Sequence, residues 1–278
     1  MNKIIAAFDG LKYSVSTRDY AIYFARQAST HLVGIFMDDR SYASYNIYEL
    51  AKQQVPAKKM KQLEAKDAAI RNKAAEDFEK ACRQSAIEYS VHHDRNIAIV
   101  ALKEESLYAD LLVIDSKETL THYKENIPTR FIRDLLADAQ CPVMLAPPNY
   151  KPVEKIVLLY DGAPASVHAI KMFNYLFPQL KEMDTEVLTI KPVYSSTHLP
   201  ESRLMKEFMK RHYPDAKYTV MKGWAEDEIV KHLKKQKENT LVVLGAYRRG
   251  PVSRLFRESM ADVLMKKLKL PLFIAHNK

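Results

Sequence analysis

An internal repeat constrains this 278-residue chain more than any other feature of its sequence. The segment KIIAAFDG at 3–10 recurs as KIVLLYDG at 155–162, an offset of 152. LLVIDS at 111–116 aligns with LVVLGA at 241–246 at an offset of 130, and CPVMLAPP at 141–148 with LPLFIAHN at 270–277 at an offset of 129. Matches that keep their order mean one unit duplicated in tandem. The expected domains are therefore 1–150 and 151–278, joined at Lys151-Pro152. So short a linker predicts that they pack together. The offset falls by 22 after the first pair, so the first copy carries about that many extra residues, assigned to a helical insertion over about 40–60.

Each copy predicts the same elements. Ile4–Phe8 is a short, wholly apolar run, as a parallel strand covered on both faces requires. A helical pattern follows over 15–28, a strand over Leu32–Met37 and a long Ala-, Lys- and Glu-rich helix over 61–85. Further strands are expected at Ile87–His92, Leu111–Ile114 and Pro142–Ala146, with helices over 97–106 and 129–139. The second copy repeats the series, with strands near 155–160, 185–190, 217–221, 241–244 and 272–275. Strand–helix alternation in short units means an α/β fold: two tandem doubly wound parallel-sheet domains, Rossmann-like.

Ligands on such sheets bind beyond the carboxyl ends of the strands, where strand order reverses. Two loops per copy lie there. The first holds Asp9-Gly10 and Asp161-Gly162. These aspartates can accept hydrogen bonds from a purine or ribose, or simply cap the turn. The second loop reads GAYRRGPVSRLFRES over 245–259 in the second copy, with Gly245, a turn at Gly250, and a helix expected to begin near Ser253. Arg248, Arg249, Arg254 and Arg257 at a helix start form either a phosphate or carboxylate clamp, or a solvated loop or interface for an acidic partner. Only 6 glycines occur in the chain, so few other places could wrap a phosphate. The matching loop of the first copy, DSKETLTHYKEN at 115–126, has neither glycine nor arginine, and Asp115 and Glu118 oppose an anion. No nucleotide is expected there.

The charge agrees with this asymmetry. Residues 1–150 hold 20 basic and 20 acidic side chains, whereas 151–278 hold 23 and 14, so the whole net charge of +9 lies in the second half. That half is the one suited to an anionic partner, if the excess is more than solvated helix faces. No interleaved basic and aromatic stripe supports nucleic acid. No HExxH or Cys-x2-Cys spacing points to a metal, no GxSxG elbow or Walker A loop to an enzyme, and no catalytic residue is assigned. The apolar run Ile4–Phe8 is too short for an export signal, and no stretch approaches the roughly 18 apolar residues of a membrane span. Cys82 and Cys141 read as reduced core thiols. A cytoplasmic protein without membrane contact is expected. Tyr42, Tyr45 and Tyr48 in the insertion either pack on the domain or offer a surface to a protein partner.

Taken in order, these motifs are similar to those of the universal stress protein family: an apolar strand ending in Asp-Gly with a following Ser, a Gly-led loop after the fourth strand, a helix, and a final strand like CPVML. The resemblance spans both copies and is to the tandem form, in which two units pair within one chain as a homodimer otherwise would. It implies a five-stranded sheet in each copy. Some members bind ATP through G-x2-G-x9-G-[S/T] after the fourth strand. Here Gly245 and Ser259 match, while Arg248 and Glu258 stand at the second and third glycines and Gly250 falls out of register. The family's aspartate near adenine corresponds to Asp161. The resemblance thus implies a stress-response module that binds ATP or another anion in its second copy, through Asp161, Gly162, Gly245, Arg248, Arg249, Gly250 and Ser259. The alternative is a protein-interaction scaffold that has lost nucleotide binding. Further assembly into a homodimer stays open.

Overall fold

The computed structural model describes residues 2–37, 43–45, 50, 52, 55–121, 123–245 and 259–275. Much of the expected insertion, including Tyr42 and Tyr48, lies outside them, as do Arg248, Arg249 and Gly250. The chain forms two compact units, Asn2–Gln140 and Cys141–Lys278. No helix among the described residues is long and apolar enough to cross a membrane.

The first unit runs β1 (Lys3–Asp9), α1 (Val15–Ala28), β2 (His31–Met37), α2 (Ala57–Gln84), β3 (Tyr89–Asp94), α3 (Ala98–Leu107), β4 (Leu111–Asp115) and α4 (Arg130–Asp138). Its sheet order is β3-β2-β1-β4, all parallel. The chain leaves β1 toward β2 and returns to β1's other side as β4, so strand order reverses between β1 and β4. Ile4 to Phe8 and Leu111 to Ile114 are all at most 3% exposed, as their unbroken apolar runs require. Over this sheet α2 delivers Phe78, whose ring centroid lies 5.4 Å from Phe8 and 6.0 Å from Phe36. All three rings are buried.

The second unit opens with β5 (Val143–Ala146), followed by β6 (Lys155–Leu159), α5 (Pro164–Leu176), β7 (Asp184–Lys191), α6 (Ser202–His212), β8 (Lys217–Lys222), α7 (Ala225–Lys234), β9 (Thr240–Gly245), α8 (Met260–Lys267) and β10 (Leu272–Ala275). Its order is β5-β10-β9-β6-β7-β8, and the reversal falls between β6 and β9. Strand β5, the last strand of the first copy by sequence, pairs antiparallel with β10, the last of the second. Met144 stands opposite Phe273, its own equivalent at the repeat offset of 129. The strand pair is therefore self-complementary in register, like a two-fold contact between identical chains. The five strands expected per domain are distributed as four and six between the compact units, because β5 finds its partner in β10.

At the opposite, amino-terminal end of each sheet sits a polar brace. Lys3 Nζ lies 3.1 Å from Glu105 Oε2, and His92 Nδ1 2.8 Å from Glu105 Oε1. In the second unit Lys155 Nζ lies 2.8 Å from Glu186 Oε2, His232 Nε2 3.0 Å from Glu186 Oε1, and Thr219 donates to Oε1 at 2.6 Å. Lys3 and Lys155 begin equivalent strands, and Glu105 and His232 hold the same place in equivalent ten-residue helices. The helix supplies the acid in the first unit and the imidazole in the second, where the acid stands on β7 instead. Burial alone would raise the Glu186 carboxyl, but hydrogen bonds from Lys155, Thr219 and His232 outweigh it and hold the group below the usual carboxylate range.

Two outcomes follow. Phe78→Ala empties the aromatic core and is expected to cost about 3–5 kcal/mol in urea unfolding. Because the folded-state pKa of Glu186 is depressed, its contribution is present at neutral pH and lost as pH falls through the carboxylate range. Glu186→Gln should lower stability by about 3 kcal/mol at neutral pH and by progressively less in acid, read from unfolding midpoints along a pH series.

Candidate functional site

Both reversal points carry an Asp-Gly turn, and in both the aspartate closes that turn. Asp9 Oδ1 accepts from the Leu11 amide at 2.8 Å and Asp161 Oδ1 from the Ala163 amide at 2.9 Å. The surroundings differ. Asp9 is buried and Asp161 is exposed. Gly162 takes φ +85°, a conformation that suits glycine, and a Cβ there would stand 2.6 Å from Pro200. The segment after β7 reaches this turn through Tyr160, whose hydroxyl donates to the Pro200 carbonyl at 2.9 Å. In the first unit, α2 performs the same covering with Arg71, which packs on Gly10.

The second loop begins differently in the two units. Gly245 ends β9, and its equivalent at the end of β4 is Asp115. A Cβ on Gly245 would overlap the Ala165 carbonyl and stand 2.9 Å from the Ser166 nitrogen. Glycine thus lets the first turn of α5 press onto the end of β9. There the Ser166 hydroxyl lies 2.7 Å from Asp161 Oδ1. In the first unit the side chain of Asp115 fills the corresponding space. It takes the hydroxyl of Ser14, the equivalent of Ser166, at 2.9 Å. Asp–Ser spacing is the same in DGLKYS and DGAPAS, but the serine answers to a different acid.

Beyond Asp115 the first unit folds its loop inward. Glu118 is only 8% exposed, and its Oε1 accepts from the amides of Thr119 and Leu120, both at 2.9 Å. Burial foremost, then the charge of Asp9, pushes this carboxyl up to about 7, against the opposing pull of the Leu120 and Thr119 amides. The sequence assigned Glu118 a repulsive role toward phosphate. The structure adds that its carboxyl group occupies backbone amides that such an anion would need. The anion-accepting capacity of this loop is satisfied from within.

In the second unit, Ser259 is the N-cap of α8. Its hydroxyl accepts from the Asp262 amide at 3.1 Å, while its own amide donates to Asp262 Oδ2 at 3.2 Å. The helix start expected near Ser253 lies outside the described residues; the described helix α8 begins at Met260, where the extended backbone of Ser259 and this reciprocal capping box start it. Of the residues assigned to the site, Asp161 and Gly162 lie at the end of β6 and Gly245 at the end of its neighbour β9, with Ser259 at the next helix start. Arg248, Arg249 and Gly250 fall between these elements, outside the described residues. Sequence reading noted the serine after Asp-Gly but gave Ser166 no role, and it did not find Pro200 or Arg71. The recurring Asp-x4-Ser spacing signalled the first, and nothing local signals the other two. No group of three or more potential metal-binding side chains gathers among the described residues. Cys82 and Cys141 are both buried, and burial pushes the Cys82 thiol up to about 12.

No family model matches the sequence, and no curated protein matches it. Solved structures do. A universal stress protein from Archaeoglobus fulgidus superposes with a TM-score of 0.71 over 100% of this chain and 99% of its own, at 13% identity. A protein of unknown function from Pseudomonas aeruginosa gives 0.61 over 99% and 92%, at 15% identity. A proposed universal stress protein from the same organism gives 0.58 over 99% and 93%, at 16% identity. At these identities the correspondence is one of fold, and it extends over both repeats: the chain has the tandem fold of the universal stress proteins.

Proposed function

We propose that this protein is a cytoplasmic, non-catalytic stress-response module of the universal stress protein family that binds ATP or a similar anionic ligand in its second repeat. The observation that carries this reading is the contrast between the reversal points: Asp161 is exposed at its strand end, whereas Asp9 is buried beside the inward-folded Glu118. The polar groups suit a nucleotide. Asp161 offers a carboxylate to a ribose or purine. Ser259 uses its oxygen as an acceptor toward Asp262, which leaves its proton to donate to a phosphate. Gly162 and Gly245 stand at neighbouring strand ends on either side of the reversal point, and Gly250 belongs to the segment that follows Gly245 in the sequence. Arg248 and Arg249 bring the positive charge, in the half that holds the chain's whole excess. In this reading they replace backbone approach to the phosphates by charge-assisted hydrogen bonds.

A second reading, a protein-interaction scaffold that has given up nucleotides, draws on the first repeat. There the loop after β4 already satisfies itself through Glu118. The two readings part in one experiment. Isothermal titration of the ligand-free protein with ATP and Mg²⁺ is expected to give one site per chain. Arg248→Glu/Arg249→Glu should weaken it at least about 100-fold, about 3 kcal/mol. Unchanged binding in that variant removes the arginine clamp, and absence of heat from the wild type leaves the scaffold.

A further inference from the structure

The first repeat's reversal point holds a second device, independent of whether the second repeat binds a nucleotide. We propose that Glu118 is a proton-operated latch on the loop after β4: neutral, it holds the loop closed over the end of β1, and ionised, it releases the loop. The geometry supplies each part. Glu118 is drawn into the protein by a turn in which its amide donates to the Asp115 carbonyl at 3.1 Å. Its carboxyl receives the Thr119 and Leu120 amides, and Leu120 is held at φ +48°, a conformation costly for leucine. The Glu118 carbonyl accepts from the Thr129 hydroxyl at 2.5 Å, and that same hydroxyl caps α4 by accepting from the Ile132 amide at 3.2 Å. Side chain, turn and helix start are thus tied through one residue.

The groups around Glu118 set the sign. Asp9 faces it from the end of β1 and Asp115 from the end of β4, and both charges disfavour its ionisation. From the turn after β1, Lys12 lies 3.9 Å from Asp9 Oδ2 and donates to the Thr121 carbonyl, so it steadies the same loop from outside. α1 presents uncharged Ser14, α4 presents uncharged Thr129, and α2 places Arg71 on Gly10. Desolvation and two neighbouring carboxylates outweigh the two amides, and the closed form holds its proton up to about pH 7. In the open loop the group returns to the ordinary value of 4.5. The closed state therefore binds the proton more tightly, so closure is favoured below the carboxylate range and weakens as pH rises toward 7. Release frees the edge formed by Asp9, Ser14 and Asp115 near neutral pH.

The test is hydrogen exchange of the amides over 116–121, corrected for intrinsic rates, in the full chain at about pH 6 and about pH 8. Wild-type protection should fall about tenfold between them. Glu118→Gln, which keeps shape and acceptor but cannot ionise, should show no such fall. Asp9→Asn should move the transition to lower pH. Protection that does not change with pH in the wild type, or that changes equally in Glu118→Gln, overturns the latch. Should Glu118→Gln fail to fold, carbon-13 titration of the wild-type Glu118 carboxyl decides: a midpoint near 7 supports the latch, and one near 4.5 ends it.

Discussion

A parallel strand covered by helices on both faces has no position along its length where a polar side chain meets water. β1, β4, β6 and β9 obey this almost without exception. The consequence is that polar chemistry is pushed to the strand ends. Both ends are used here. The amino-terminal ends carry Lys–Glu–His braces that fasten helices to the sheets, and the carboxyl ends carry the aspartate turns and the loops after the fourth strands. The buried hydrophobic layer thus decides where a function can be placed before any residue decides which function it is.

Within that frame, one pair of equivalent positions separates the repeats. Glycine at 245 lets α5 close onto β9, and the serine of α5 then meets the aspartate at the end of β6. Aspartate at 115 fills that space and takes the serine for itself. The negative charge added by Asp115 also contributes to the environment that disfavours ionisation of Glu118. A single side chain at a strand terminus therefore propagates into the protonation chemistry of a loop three residues away. The two halves share the Asp-Gly turn and differ in the electrostatics around it.

Strands were readable from sequence because continuous apolar runs such as LLVI and LVVL admit little else, and α2 because its composition favours helix over a long span. Asp9 and Asp161 were readable as turn residues, and the first repeat's loop as hostile to an anion. A helix was expected from near Ser253, which lies outside the described residues; the described α8 starts at Met260. Apolar spacing from Val252 onward resembled a helix, and the local signal at Ser259 and Asp262 was a capping box set inside that run. The cover that Pro200 and Arg71 give to the two turns depends on segments some 40 and 60 residues away, and no local periodicity encodes it. Nor does spacing reveal that Glu118 turns inward. Its polarity argues for solvent, and only the backbone amides waiting for it make burial tolerable.

The pairing of β5 with β10 also governs where this chain can be divided. A second half that starts at Lys151 would leave one edge of β10 bare along Leu272–Ala275, four apolar residues that are buried in the intact chain. Bare apolar edges recruit other strands. A half that starts at Cys141 keeps its own cover. The self-matched register at Met144 and Phe273 suggests what a stranded edge would find first, namely the same edge on another copy. Gene fission at the linker would thus trade an internal seam for an intermolecular one.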